Sequence, residues 1–151
     1  NNSQKHQLSS RQLGRQAEAA VAGYFLRQGY VVVTQNYSVA NLGELDLVLE
    51  QAGQLTIVEI KARRSGEYGG PAAAITRAKH QKLHHTALHF MQHYGMMNKR
   101  VQFLAALVMI DQSGNAGPFL LSRFIQLGNS DLLNDRRYNI MATYSLHWER
   151  I

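Results

Sequence analysis

The sequence predicts a single α/β domain with elements in the order α-β-β-β-α-β-β. Apolar residues recur at helical spacing in two segments, near residues 9–28 and 72–94. Three runs with strand composition lie between them, and an unbroken apolar run from Phe103 to Ile110 follows the second helix. The length, 151 residues, suits one good core rather than two.

Residues 1–10 read as a flexible polar arm whose last residues, Ser9 or Ser10, cap a helix running to about Gln28, where Gly29 ends it. Leu13, Ala17, Ala20, Val21 and Tyr24 form its expected core stripe. Tyr30 to Tyr37 (YVVVTQNY) is β-branched and reads as the first strand. Leu45–Leu49 and Leu55–Ala62 follow, joined by Gln51-Ala52-Gly53-Gln54, a short turn that suggests a hairpin. SGEYGGP, residues 65–71, reads as a loop. The second helix is expected from about Ala72 to Tyr94, with Thr76, Leu83, Ala87, Phe90, Met91 and Tyr94 on its core face and Gly95 stopping it. Phe103–Ile110 is expected to be a central strand buried on both faces. DQSGNAGP reads as a turn, and Phe119–Leu127 as the fifth strand. Tyr138, Ile140, Ala142, Tyr144, Leu146 and Trp148 alternate with more polar residues, which fits either a sixth strand or an irregular tail. The domain is therefore bounded at residues 11–127, with 128–151 a C-terminal extension packed on the domain or on a partner.

Apolar residues make up 45% and charged residues 17%, which excludes a disordered chain as the default. Lys plus Arg outnumber Asp plus Glu by 16 to 10, a formal charge of +6 with a pI near 9.8, so an anionic partner is expected. There are no cysteines, which removes disulfide, thiol and Cys-ligated zinc chemistry. The polar N-terminal stretch lacks the apolar core of a secretion signal, and no apolar run approaches the ~20 residues that span a bilayer. The expected location is cytoplasmic, with no membrane partner.

The stretch GELDLVLEQAGQLTIVEIKAR, residues 43–63, carries Glu44, Asp46, Glu59 and Lys61 within otherwise apolar strands. Side chains alternate along a strand, so Glu44 and Asp46 are expected on one face, and Glu59 and Lys61 on one face of the next strand. A turn at 51–54 brings Asp46 within about a residue of Glu59 across the ladder. Three converging carboxylates repel and raise one another's pKa unless a cation sits among them. A hard divalent ion, Mg²⁺ or Mn²⁺, is the natural neutraliser. Lys61 in the same pocket can orient or deprotonate a water, or stabilise charge developing on a phosphate. The bland alternative is an amphipathic hairpin with Glu59 and Lys61 paired on its wet side.

G-E-L-D-L-V followed by I-V-E-I-K-A-R resembles the PD-(D/E)xK restriction-endonuclease-like superfamily, above all its Holliday-junction-resolvase-like branch. Within that branch, GRQAEAAVAGYFLRQGY, GELDLV, VEIKARRSGEYGGPAAAIT and the start of the second helix around Lys79 are similar to the bacterial YraN-type family, over about residues 11–127. The resemblance implies a three-layer α/β/α fold around a mixed sheet and metal-dependent nuclease chemistry. It implies Asp46, Glu59 and the backbone carbonyl of Ile60 as metal ligands, Lys61 as the catalytic lysine, and Glu18 as a first-helix acid that completes the metal's shell or positions the water. Glu44 is expected behind this set. Gly14, one turn before Glu18, would let a phosphate backbone approach. One departure is Leu104-Ala105-Ala106, where family members often show Arg-Phe-Asp.

Arg63, Arg64, Arg77, Lys79 and Lys82 follow the acidic cluster and could hold phosphates on either side of a cut; the alternative is a solvated basic face. His85, His89 and His93 stand at successive i+4 positions, a spacing that can bind zinc, but no acid accompanies them and a basic surface is the simpler reading. The expectation is a Mg²⁺- or Mn²⁺-dependent nuclease acting on DNA, branched or otherwise structured, with a homodimer among the expected assemblies. The rivals are a nucleic-acid-binding module with vestigial chemistry and a protein-interaction adaptor that uses the 128–151 tail as an edge strand.

Overall fold

Ser9 opens the first helix, α1 (Ser10–Arg27), in the computed structural model, which describes residues 8–64, 77–127 and 146–149. The Ser9 hydroxyl accepts from the Gln12 amide, and the Gln12 side chain accepts from the Ser9 amide at 2.8 Å. Two N–H groups that a helix start leaves without partners are thereby satisfied reciprocally. The helix is as expected, but its stripe differs. Leu13, Ala17, Val21 and Phe25 are buried together with Ala22, whereas Ala20 and Tyr24 are half-buried. Phe25 is the larger payload on that row, and it meets the Tyr24 and Tyr30 rings edge-on at 5.2 and 5.0 Å.

Three antiparallel strands follow: β1 (Val31–Val39), β2 (Gly43–Gln51) and β3 (Gln54–Arg64). The next helix, α2 (Arg77–His93), lies in the crossover to β4 (Arg100–Ile110), which runs parallel to β3. β5 (Ala116–Leu127) and β6 (Leu146–Glu149) complete a six-stranded mixed sheet in the order β1-β2-β3-β4-β5-β6. A parallel pair needs such a crossover, whereas the antiparallel pair β2–β3 closes through a tight turn.

Two apolar clusters cover the two faces. Leu13, Ala17, Val21 and Phe25 of α1 pack with Leu47, Leu49, Val58, Ile60, Leu104, Ala106, Val108 and Ile110. Leu83, Ala87, Phe90 and Met91 of α2 pack with Leu45, Val48, Leu55, Ile57, Val101 and Phe103 on the other face. β4 contributes to both clusters, as its unbroken apolar run requires. The three-layer arrangement agrees with a restriction-endonuclease-like fold.

Tyr94 departs from the expected core face of α2: the helix ends at His93, and Tyr94 is 54% exposed. A position that face did not include, His84, is buried instead, stacked on Phe103 at 4.3 Å. The sixth strand is present at Leu146–Glu149, paired to β5. The expected loop at 65–71, the helical start at Ala72–Thr76 and the alternation from Tyr138 to Tyr144 lie outside the described residues.

Candidate active site

The β2–β3 hairpin begins at Ala52 and Gly53, whose φ values of 50° and 75° are both in the left-handed region that a two-residue hairpin turn of matching twist demands. From there the ladder runs from Gln51↔Gln54 to Leu47↔Val58. One further step along the same register sets Asp46 opposite Glu59, and there the ladder stops. The Ile60 N–H donates to the Asp46 carboxylate at 2.7 Å, a side chain taking the bond. The alternation of β2 breaks at the same point: Leu45 packs on the α2 side and Leu47 on the α1 side.

Where the ladder ends, a pocket of about 270 Å³ opens beneath the N-terminal half of α2, lined by Gly43, Glu44, Asp46, Glu59, Lys61, Lys79, Lys82 and Leu83. Lys61 Nζ lies 3.1 Å from Glu59 Oε1, and the two side chains are 28% and 13% exposed. An amphipathic ribbon with this pair on its wet side would leave both solvated, so that alternative does not describe the hairpin.

The charges perturb one another. Burial, reinforced by the negative charge of Glu59 and a hydrogen bond between the two carboxyls, pushes Asp46 up to about 7, although the Ile60 N–H pulls it down. Burial works against the Lys61 ammonium, but its hydrogen bond to Lys79 and the carboxylates of Glu59 and Asp46 outweigh that, so its pKa is raised. The same hydrogen bond to Lys61, together with burial and the charge of Lys61, lowers Lys79. Lys79 is therefore the amine of the pair that releases a proton first.

Two carboxylates forced together in a half-buried pocket are a donor set for a hard divalent ion. Mg²⁺ commonly takes one or two protein carboxylates and keeps several waters. Asp46 and Glu59 fit that requirement, with the Ile60 carbonyl next in chain. Glu44 lines the same pocket but is exposed at its mouth. Among the described residues, no three His, Asp or Glu side chains converge closely enough to hold a metal by themselves, His85, His89 and His93 included.

The remaining expected site residues are distributed differently. Glu18 is half-buried on α1, which covers the opposite face of the sheet, and it does not line the pocket. Gly14 sits on the same helix, with open space where a Cβ would stand. Arg63 donates to the Ala62 carbonyl at 3.2 Å, and Arg64 reaches the Leu8 carbonyl at 2.5 Å, tying β3 to the chain before α1. Lys79 and Lys82 do line the pocket, while the side chain of Arg77 lies outside the described residues. The departure at Leu104-Ala105-Ala106 also finds its place. Ala106, where the resemblance led to an expectation of Asp, is 1% exposed in the α1-side core, on the sheet face away from Lys79 and Lys82.

Gly43 is a site residue that the sequence reading missed. A Cβ at this position would stand 2.6 Å from Thr86 Oγ1, so the start of β2 touches α2 where only glycine fits. The Thr86 hydroxyl itself donates to the Lys82 carbonyl at 2.7 Å. The glycine immediately before Glu44 was the available signal.

The pattern of the uncharacterised protein family UPF0102 matches residues 17–109. Curated relatives are similar over most of their length. A UPF0102 protein of Methylobacillus flagellatus is 45% identical over 85 residues, 56% of this chain and 74% of the relative. One of Alkaliphilus metalliredigens is 35% identical over 101 residues, covering 67% and 88%. One of Vibrio campbellii is 33% identical over 107 residues, covering 71% and 87%. The matched region runs from α1 through β4 and contains the whole pocket, and the chain belongs to the UPF0102 family, the YraN-type family its motifs resemble.

Proposed function

We propose that the pocket is the active site of a metal-dependent nuclease that hydrolyses DNA phosphodiester bonds, with branched or structured DNA as its substrate class. The observation that carries this reading is the convergence of Asp46, Glu59 and Lys61 at the end of the β2–β3 ladder, in a pocket rimmed by Lys79 and Lys82. A bound Mg²⁺ or Mn²⁺ would polarise a phosphate oxygen and ease deprotonation of a water. Asp46 and Glu59 would hold that ion. Lys61 keeps its proton, so its role is to stabilise negative charge gathering on the phosphate. One such preorganised donor is typically worth about 10²–10³ in rate. Lys79, exposed at the pocket beside Lys61, is suited to bind a phosphate flanking the cut. Lys82, exposed at the rim, is suited to bind a neighbouring phosphate.

The test is cleavage of a panel of DNA forms, duplex, forked and four-way, with Mg²⁺ or Mn²⁺ and with chelator. Metal-dependent cleavage that disappears in Lys61→Ala supports the reading. Binding that persists in chelator, with no cleavage of any form by the wild type, replaces it with the binding-module alternative. The rim is tested by salt dependence. Lys82→Ala should reduce the slope of log affinity against log salt by roughly 0.9 on duplex DNA for one lost phosphate contact. An unchanged slope removes Lys82 from the interface.

A further inference from the structure

One flank of α2 carries side chains that the proposed chemistry leaves unused. Lys82, His89 and His93 stand at i, i+7 and i+11, which at about 100° per residue keeps them within about 40° of one another around the helix. Lys82 lines the pocket, so this flank leads directly away from it. His89 and His93 are exposed, and their rings lie nearly parallel, 6.1 Å apart and 11° from coplanar orientation. Tyr94, just past the helix, meets His93 edge-on at 4.8 Å and Tyr37 of β1 at 6.1 Å. The Tyr37 hydroxyl and His89 Nδ1 are hydrogen-bonded at 2.8 Å, so β1 anchors the group.

Exposed rings at His89, His93 and Tyr94, backed by the half-buried Tyr37 and reached from a lysine at the pocket, are the kind of surface on which unpaired bases stack. Stacking is tolerant of sequence, because every base has a π-face, and it is denied to a duplex whose base faces are already covered. From Lys82 to His89 the helix rises by about 10 Å, roughly three nucleotide steps at the duplex rise of about 3.4 Å. We propose that Tyr37, His89, His93 and Tyr94 form a stacking platform for unpaired nucleotides a few steps from the scissile phosphate, making the substrate DNA with a single-stranded arm or gap. This rests on the nuclease reading of the pocket and narrows its substrate.

The experiment measures binding of a labelled oligothymidine and of a duplex, in chelator, by fluorescence anisotropy, alongside quenching of an aminopurine base placed in the single strand. The proteins are wild type, His93→Ala, His89→Ala/His93→Ala, His93→Phe and, as a control on the same turn, Gln92→Ala. The double variant should bind oligothymidine about five- to hundredfold more weakly and lose the quenching, with duplex affinity little changed. His93→Ala, which leaves the Tyr37–His89 bond in place, should show part of the loss on its own, and His93→Phe should restore it. Single-strand affinity and quenching unchanged in both alanine variants overturn the platform, whether the surface then proves empty or occupied by a protein partner, and leave the nuclease reading standing if duplex DNA is cut. Quenching by a wild type that cuts no DNA with Mg²⁺ or Mn²⁺ upholds the stacking surface and removes the nuclease reading.

Discussion

The β2–β3 hairpin has two ends built on opposite rules. At the closed end, every step from Leu47↔Val58 to Gln51↔Gln54 is paired, and the chain reverses through Ala52 and Gly53 with both residues in the conformation the twist requires. At the open end the pairing stops, Asp46 takes the Ile60 amide with its side chain, and three carboxylates and three lysines line one pocket. The closed end satisfies its backbone locally. The open end concentrates like charges in a half-buried space, an arrangement that costs stability and is retained at sites doing chemistry. Changes at the two ends should therefore move different observables.

The largest effect is expected at Lys61. Lys61→Ala should lower single-turnover cleavage by about 10²–10³ while DNA affinity stays close to wild type, because the lost donor acts on charge that develops during the reaction. A loss of affinity as large as the loss of rate would make Lys61 a docking residue instead.

Next are the acids. Asp46→Asn and Glu59→Gln should each abolish divalent-ion binding by calorimetry with the fold intact. Asp46 also predicts a pH effect on the metal-free protein. Its folded pKa is raised from 3.8 to about 7, so its contribution to stability is fully present below about 3.8 and lost as pH rises through about 7. Metal-free wild type should thus melt lower at pH 8 than at pH 5, and Asp46→Asn should flatten that dependence and raise the pH 8 melting temperature by a few degrees, about 2–4 °C per kcal/mol at this chain length. An equal pH slope in the two proteins would show that Asp46 does not carry the cost.

A smaller effect belongs to the wall of the pocket. Gly43→Ala should destabilise by about 1–3 kcal/mol, since its Cβ would meet Thr86 Oγ1 at 2.6 Å and push α2 away from β2. In the Thr86→Ala background the same change should cost less, and a double-mutant cycle on denaturant midpoints measures the coupling. Additive costs would mean that backbone conformation alone demands the glycine.

The smallest effect is expected at the closed end. Ala52, at φ 50°, occupies a position that asparagine tolerates better, so Ala52→Asn should stabilise by a few tenths to about 1 kcal/mol in thermal melts. Metal affinity and cleavage should not change. If they do, the two ends of the hairpin are not independent.

The sequence by itself determined what short-range rules can carry. Ser9 caps α1, Ala52-Gly53 turns the hairpin, β-branched runs make strands, and the two-residue spacing of Glu59 and Lys61 puts both side chains on one face. The nearness of Asp46 to Glu59 was legible to within about a residue, and the two-residue turn at Ala52-Gly53 fixed the register that opposes them. Helix faces were read less well. The α1 stripe moved to Phe25, and Tyr94 fell outside the core, since burial depends on which neighbouring element arrives and not on spacing alone. Tertiary structure alone decided that α2 lies over the open end of the hairpin. That packing brings Lys79 to Lys61, makes Gly43 the point of contact with Thr86, and leaves Glu18 and Arg64 on the α1 side of the sheet. Asp46 is only an acid in a strand until the ladder ends beside it and a helix shields it from water. Burial and a neighbouring charge, which spacing cannot reveal, then set its pKa.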